Sequence, residues 1–200
     1  MKYRTILLFG SPGAGKGTQG KTLGNIPGLY HCACGDVFRN LRTDDELGRT
    51  FVEYSSRGQL VPDEATVRLW RQSIDAVTGA GRFNPASDTL VLDGIPRNLG
   101  QAKIMDEMID VKKVFHLACP DRDTLFYRLK KRALKENRLD DANEQVIQRR
   151  LDIYEKDSKP VLSYYSRDLV TVVDATQPPA KVLLDILQSV NDGVYEPAAV

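Results

Sequence analysis

The stretch "LLFGSPGAGKGTQ" constrains this chain more than any other. A short apolar run ends at Gly10, and Gly13, Gly15, Lys16 and Gly17 follow within a few positions. The order Gly10-x-x-x-x-Gly15-Lys16, placed after a strand pattern and before a helical one, satisfies the core of a phosphate-binding loop. Inward-turned backbone N–H groups form an anion nest there, and the helix N-terminus adds free donors and a favourable dipole. Glycine allows the backbone conformations and the close approach that a phosphate needs. The plainer alternative is a glycine-rich strand–helix turn with no ligand, and the flanking patterns argue against it. One position departs from the general motif: Gly17 stands where a magnesium-ligating Ser or Thr usually follows the lysine, with Thr18 next.

Any cationic work must be local, because the 200 residues carry a formal net charge of only +1. Neither nucleic acid nor an acidic membrane is indicated, and no apolar run is long enough to span a bilayer. The reading is a single cytoplasmic domain over residues 1–200. Cys32, Cys34 and Cys119 have neither disulfide-framework nor zinc-site spacing, and read as buried thiols.

Apolar runs at 5–9, 89–92, 113–118 and 169–173 read as strands, the first three near-continuously apolar as in a parallel sheet covered on both faces. Helical patterns fall at 16–23, 36–41, 63–77, 99–109, 121–134, 143–157 and 179–189, and the last eight residues read as a frayed tail. The alternation predicts a doubly wound α/β fold with its ligand beyond the carboxyl ends of the strands, where Gly10 and Asp93 stand.

Five segments, in order, resemble the nucleoside monophosphate kinases, adenylate kinases above all. They are "GSPGAGKGTQ", "CGDVFR", "GQLVPDE", "LDGIPRNLGQA" and "RLDDANEQVIQRRL", and the resemblance covers residues 5 to about 180. It implies a P-loop core sheet flanked by helices, a nucleotide-monophosphate-binding insert at 33–61 and a short lid at 131–141. The implied reaction is reversible phosphoryl transfer from Mg-ATP to AMP giving two ADP, by a monomer. The alternatives are a UMP/CMP kinase and a nucleotide-binding regulatory module without turnover. A GTPase-like switch would need Ser or Thr after Lys16 and an N-K-x-D motif, and the sequence has neither.

Phosphoryl transfer needs two polyphosphates held in line by cations, and arginine's planar fork suits phosphate. By resemblance, Gly13, Ala14, Gly15, Lys16, Gly17 and Thr18 cradle the ATP phosphates, and Arg128 stacks on its adenine near Gln177. Arg39 and Arg97 hold the AMP phosphate. Arg132 reaches the donor phosphates, and Arg138 and Arg150 close over the transferring group, with Arg150 preferred to its neighbour Arg149; Asp140 and Asp141 orient nearby arginines or latch the lid. Asp93 holds Mg²⁺ through water. Gln59, Leu60, Val61, Gly94, Cys34 and Gln101 form the rest of the AMP site. Gln101 favours adenine, whereas Cys34 replaces a usual Thr and donates only weakly. The segment between Arg132 and Arg138 is too short, and too poor in cysteine, for zinc.

Overall fold

The computed structural model describes residues 2–41, 46–136, 141 and 143–190. Five parallel strands form one sheet in the order β2-β3-β1-β4-β5. They are β1 (Tyr3–Phe9), β2 (Leu29–Ala33), β3 (Thr89–Asp93), β4 (Ile109–Ala118) and β5 (Val170–Asp174). Eight α-helices accompany them among the described residues: α1 (Lys16–Leu23), α2 (Cys34–Arg39), α3 (Glu46–Ser56), α4 (Asp63–Gly79), α5 (Leu99–Met105), α6 (Arg122–Glu136), α7 (Glu144–Ile153) and α8 (Pro179–Val190).

Side chains alternate across the central strands, so β1 feeds two cores. Leu7 and Phe9 pack with Leu90, Leu92, Trp70 and Ile74 on one face. Ile6 and Leu8 pack with Val91, Phe115, Leu23, Leu129 and Ile186 on the other. Helices on both faces explain why these strands are continuously apolar. The chain passes from β1 outward to β2, returns to β3 beside β1, and only then crosses to β4. Strand order thus reverses at β1 and β3, and the crevice beyond their ends is where such sheets bind ligands.

The predicted α/β class holds, and several boundaries differ. The helix expected over 99–109 ends at Met105, and Ile109 already belongs to β4. That strand is longer than the expected 113–118 because its first half carries Asp110, Lys112 and Lys113, which hide it as a strand. The helix expected over 143–157 gives way after Ile153 to a π turn, Tyr154–Ser158. Strand β2 and helix α3 were not anticipated. β2, "LYHCA", has no apolar run, and its burial comes from being paired to β3. The frayed tail lies outside the described residues.

Gly10 ties the sheet to the loop. Its φ is +150°, and a Cβ there would stand 2.7 Å from the Leu117 carbonyl oxygen of β4. Gly10→Ala is expected to cost about 1–3 kcal/mol, the range for a residue forced into such backbone strain. Gly79→Ala, at the exposed end of α4 with nothing within 4 Å of the new Cβ, should stay within about 0.5 kcal/mol of wild type. Urea denaturation midpoints of the two variants check this.

Candidate active site

The loop from Gly10 to Gly15 turns β1 into α1. Gly13 and Gly15 both have positive φ, +87° and +95°. A Cβ on Gly13 would press on the Leu125 carbonyl of α6 at 2.9 Å, whereas one on Gly15 would meet nothing within 4 Å. The loop is therefore packed behind and open in front. Gly15 caps α1 without any side-chain hydrogen bond, which leaves donors at the helix start to face the opening. Lys16 folds back over the loop, its Nζ donating to the carbonyls of Gly10 at 2.6 Å and Ser11 at 3.2 Å. Burial lowers the Lys16 pKa to about 8, with Asp93 opposing that shift and Arg97, Arg132 and Arg150 adding to it.

This loop forms the floor of a cleft of about 900 Å³. Nine Lys and Arg side chains line the cleft against three Asp and Glu. A protein close to neutral overall thus concentrates positive charge on one concavity, as a site for polyanions requires.

Every described residue assigned from the sequence to the ATP, AMP or Mg²⁺ site lines this cleft. At one end, near Gly13 to Thr18, Arg128 donates from Nη1 to the Ala175 carbonyl at 2.9 Å. Beside it, Gln177 Nε2 donates to the Asp174 carbonyl at 3.1 Å and to Asp185 Oδ2 at 3.2 Å. At the other end stand Cys34, Arg39, Gln59, Leu60, Val61, Gly94, Arg97 and Gln101. Arg39 pairs with Asp36 one turn back on α2, and Arg97 Nε donates to the Gly94 carbonyl at 2.8 Å. Burial pushes the Cys34 thiol up to about 11, so it stays neutral at physiological pH.

Between the ends, Arg132 from α6 and Arg150 from α7 meet on one carboxylate. Arg132 Nε donates to Asp141 Oδ2 at 2.7 Å, and Arg150 donates to Asp141 Oδ1. Asp141 is 0% exposed. A carboxylate so buried is tolerable only because two guanidiniums flank it, and it fixes both forks toward the cleft. Arg149 instead donates to the Arg57 carbonyl at 3.2 Å and lines a separate, shallow pocket. Arg138 and Asp140 lie outside the described residues.

Asp93 ends β3 beside β1, in register with Leu8. Its Oδ2 lies 3.5 Å from where a Gly17 Cβ would be, so the missing side chain at position 17 leaves the carboxylate facing the start of α1. Among the described residues, no three His, Cys, Asp or Glu side chains come together as a cation site. A single carboxylate suits Mg²⁺, which keeps several waters and takes phosphate oxygens.

Four of the wall residues that sequence reasoning missed are large or polar side chains at the two sides of the cleft. Phe38 and Phe51 stack with ring centroids 5.1 Å apart beside the Cys34 end. Tyr154 and Ser158 enter from the π turn, with the Tyr154 hydroxyl 3.1 Å from His116 Nε2. Leu47, Phe51 and Tyr54 recur at helical spacing and were the available signal for α3. A π turn has no comparable signature.

Comparison with known proteins agrees with this geometry. The family model described as "Adenylate kinase" matches residues 8–170. An adenylate kinase from Cyanothece sp. is 36% identical over 193 residues, covering 93% of this chain and 94% of the relative. One from Thermobifida fusca is 37% identical over 180 residues, covering 86% and 90%. One from Flavobacterium psychrophilum is 34% identical over 169 residues, covering 82% and 85%.

The position of Lys16 yields a test by charge. Its ammonium is present below a pKa of about 8 and is lost as pH rises through that value. Polyphosphate affinity of the free protein, measured by calorimetry, should therefore fall as pH rises above 8. Lys16→Met should lower the affinity at pH 7 by roughly tenfold or more, the scale of a lost hydrogen bond to a charged group. The variant should also remove the pH dependence while preserving the circular dichroism spectrum.

Proposed function

The chain belongs to the adenylate kinase family and is an ATP:AMP phosphotransferase, and we propose that it works by holding ATP and AMP in line across Lys16. One observation carries this reading. A single cleft of about 900 Å³ is lined by Gly13 to Thr18 of the loop and by arginines from separate elements along its length.

In this mechanism the γ-phosphoryl group breaks from the β–γ bridging oxygen of ATP as an oxygen of the AMP phosphate bonds to it, giving two ADP. The attacking oxygen is already anionic, so no general base is needed. Charge spreads over the equatorial oxygens, and preset cations lower the barrier. The loop amides and Lys16 hold the donor phosphates, Arg128 covers the donor adenine, and Arg39 and Arg97 aim the acceptor phosphate. Arg132 and Arg150, shared on Asp141, reach the transferring group with little reorganisation, joined by Arg138. Asp93 would hold Mg²⁺ through water, and that ion neutralises phosphate charge when bound. Gln101 reads the acceptor adenine beside Cys34, and Gln59, Leu60, Val61 and Gly94 complete its chamber.

The insert at 33–61 and the lid at 131–141 close over acceptor and donor respectively, which excludes water that would otherwise take the phosphoryl group. The protein acts as a cytoplasmic monomer. No helix among the described residues is long and apolar enough to cross a membrane. A UMP/CMP kinase is not favoured by the relatives named above, all of which are adenylate kinases.

A coupled assay of ATP against AMP, UMP, CMP and GMP should show the highest kcat/KM for AMP; equal efficiency with UMP or CMP would overturn the acceptor assignment. Arg97→Ala should raise the AMP KM by about tenfold to a hundredfold, as for a lost charged hydrogen bond. It should also lower kcat, through lost alignment, and leave the ATP KM nearly unchanged.

Saturation with the bisubstrate analogue diadenosine pentaphosphate should slow amide exchange in both 33–61 and 131–141. Unchanged exchange in either segment would count against closure of that segment.

A further inference from the structure

We propose that Asp63 is a positioning residue for base selection: it fixes the polarity of the Gln101 amide so that the acceptor site accepts a 6-aminopurine and rejects a 6-oxopurine. This rests on the reading of Gln101 as the acceptor-base contact.

Gln101 is 1% exposed and lines the cleft, whereas Asp63 stands behind it and does not. The amide lies between two partners, each with one possible hydrogen-bonding role. The Arg97 backbone N–H donates to Gln101 Oε1 at 2.8 Å. Gln101 Nε2 donates to Asp63 Oδ1 at 3.0 Å. An N–H can only donate, and an ionised carboxylate can only accept. Rotating the amide by half a turn would set donor against donor and acceptor against acceptor, so the orientation is fixed. Asp63 is itself held, because Asn98 Nδ2 donates to the same Oδ1 at 2.7 Å. Asn98 Oδ1 in turn caps α5 by accepting from the Gln101 N–H at 2.8 Å. Gly100 clears the space, since a Cβ there would stand 2.7 Å from Asp63 Oδ2.

An amide has two N–H donors and two oxygen lone pairs. One of each is committed behind the wall, which leaves one of each, in fixed order, for a base. Adenine offers a ring-nitrogen acceptor next to its 6-amino donor. Hypoxanthine and guanine offer a ring N–H donor next to a 6-oxo acceptor, which is the reverse. A pinned amide pairs with the first and opposes the second. Left free to rotate, the amide would serve both.

The test compares AMP with IMP, purines that differ at this edge alone. Asp63→Asn keeps the shape but offers either a donor or an acceptor to Gln101. It should raise the AMP KM by about tenfold and lower the AMP-over-IMP preference in kcat/KM by a similar factor, the scale of a single hydrogen bond made or opposed. The ATP KM should stay within about twofold. Gly100→Ala displaces the carboxylate without changing charge and should shift the preference the same way, so a folding defect in one variant does not decide the matter. In a Gln101→Ala background, Asp63→Asn should add nothing, because Asp63 acts only through that amide. If Gln101→Ala raises the AMP KM while both variants at the wall keep the wild-type AMP-to-IMP ratio, or if the double mutant is additive, the role of Asp63 is overturned and the acceptor site stands. If Gln101→Ala leaves the AMP KM unchanged, the acceptor-site reading falls and this inference with it.

Discussion

Six of the nine cations that line the cleft come from a loop and helices around it, and their mutual repulsion is the constraint that the rest of the site answers. Each is held by an oxygen of the chain itself. Lys16 rests on the Gly10 and Ser11 carbonyls, Arg97 on Gly94 and Arg128 on Ala175. Arg39 rests on Asp36, and Arg132 and Arg150 share Asp141. The two kinds of holder differ in consequence. A neutral carbonyl gives way readily to an anionic phosphate, because charge-assisted hydrogen bonds are roughly twice as strong as neutral ones. A carboxylate competes with an anion on closer terms, so Arg39, Arg132 and Arg150 are held more firmly than the cations that rest on carbonyls.

The same division explains how much was legible in the sequence. The loop, the alternation of elements and many residues that line the cleft could be named in advance, because each lies in a short local segment with its own signature. Arg150 was separated from Arg149 only by the leucine that follows it, and the structure places Arg150 on the cleft and Arg149 on the Arg57 carbonyl. What escaped depends on long-range partners. Strand β2 is a strand because β3 pairs with it, since "LYHCA" alternates weakly and carries a histidine. The start of β4, which pairs with β1 alone, is hidden by its charged residues. The π turn at Tyr154–Ser158 follows α7 without any Gly, and the Pro that ends the run comes only at 160.

The acceptor end shows how one departure is contained. A neutral, buried Cys34 is a poor hydrogen-bond donor. Near it Phe38 stacks on Phe51, and Thr66 Oγ1 donates to the Val61 carbonyl at 3.3 Å. The Gln59 and Gln101 amides line the same end of the cleft, and a few placed polar groups among apolar walls are an ordinary design for a small-ligand site.

The contacts behind the phosphate loop also set when the site comes into being. Gly10 backs onto the carbonyl of Leu117 and Gly13 onto that of Leu125, while β1 is flanked by β3 and β4. The loop is therefore shaped by residues more than a hundred positions later in the chain. A chain cut before Leu117 would lack both of these braces. The shape of the loop thus belongs to the folded domain, and its own residues cannot hold it alone.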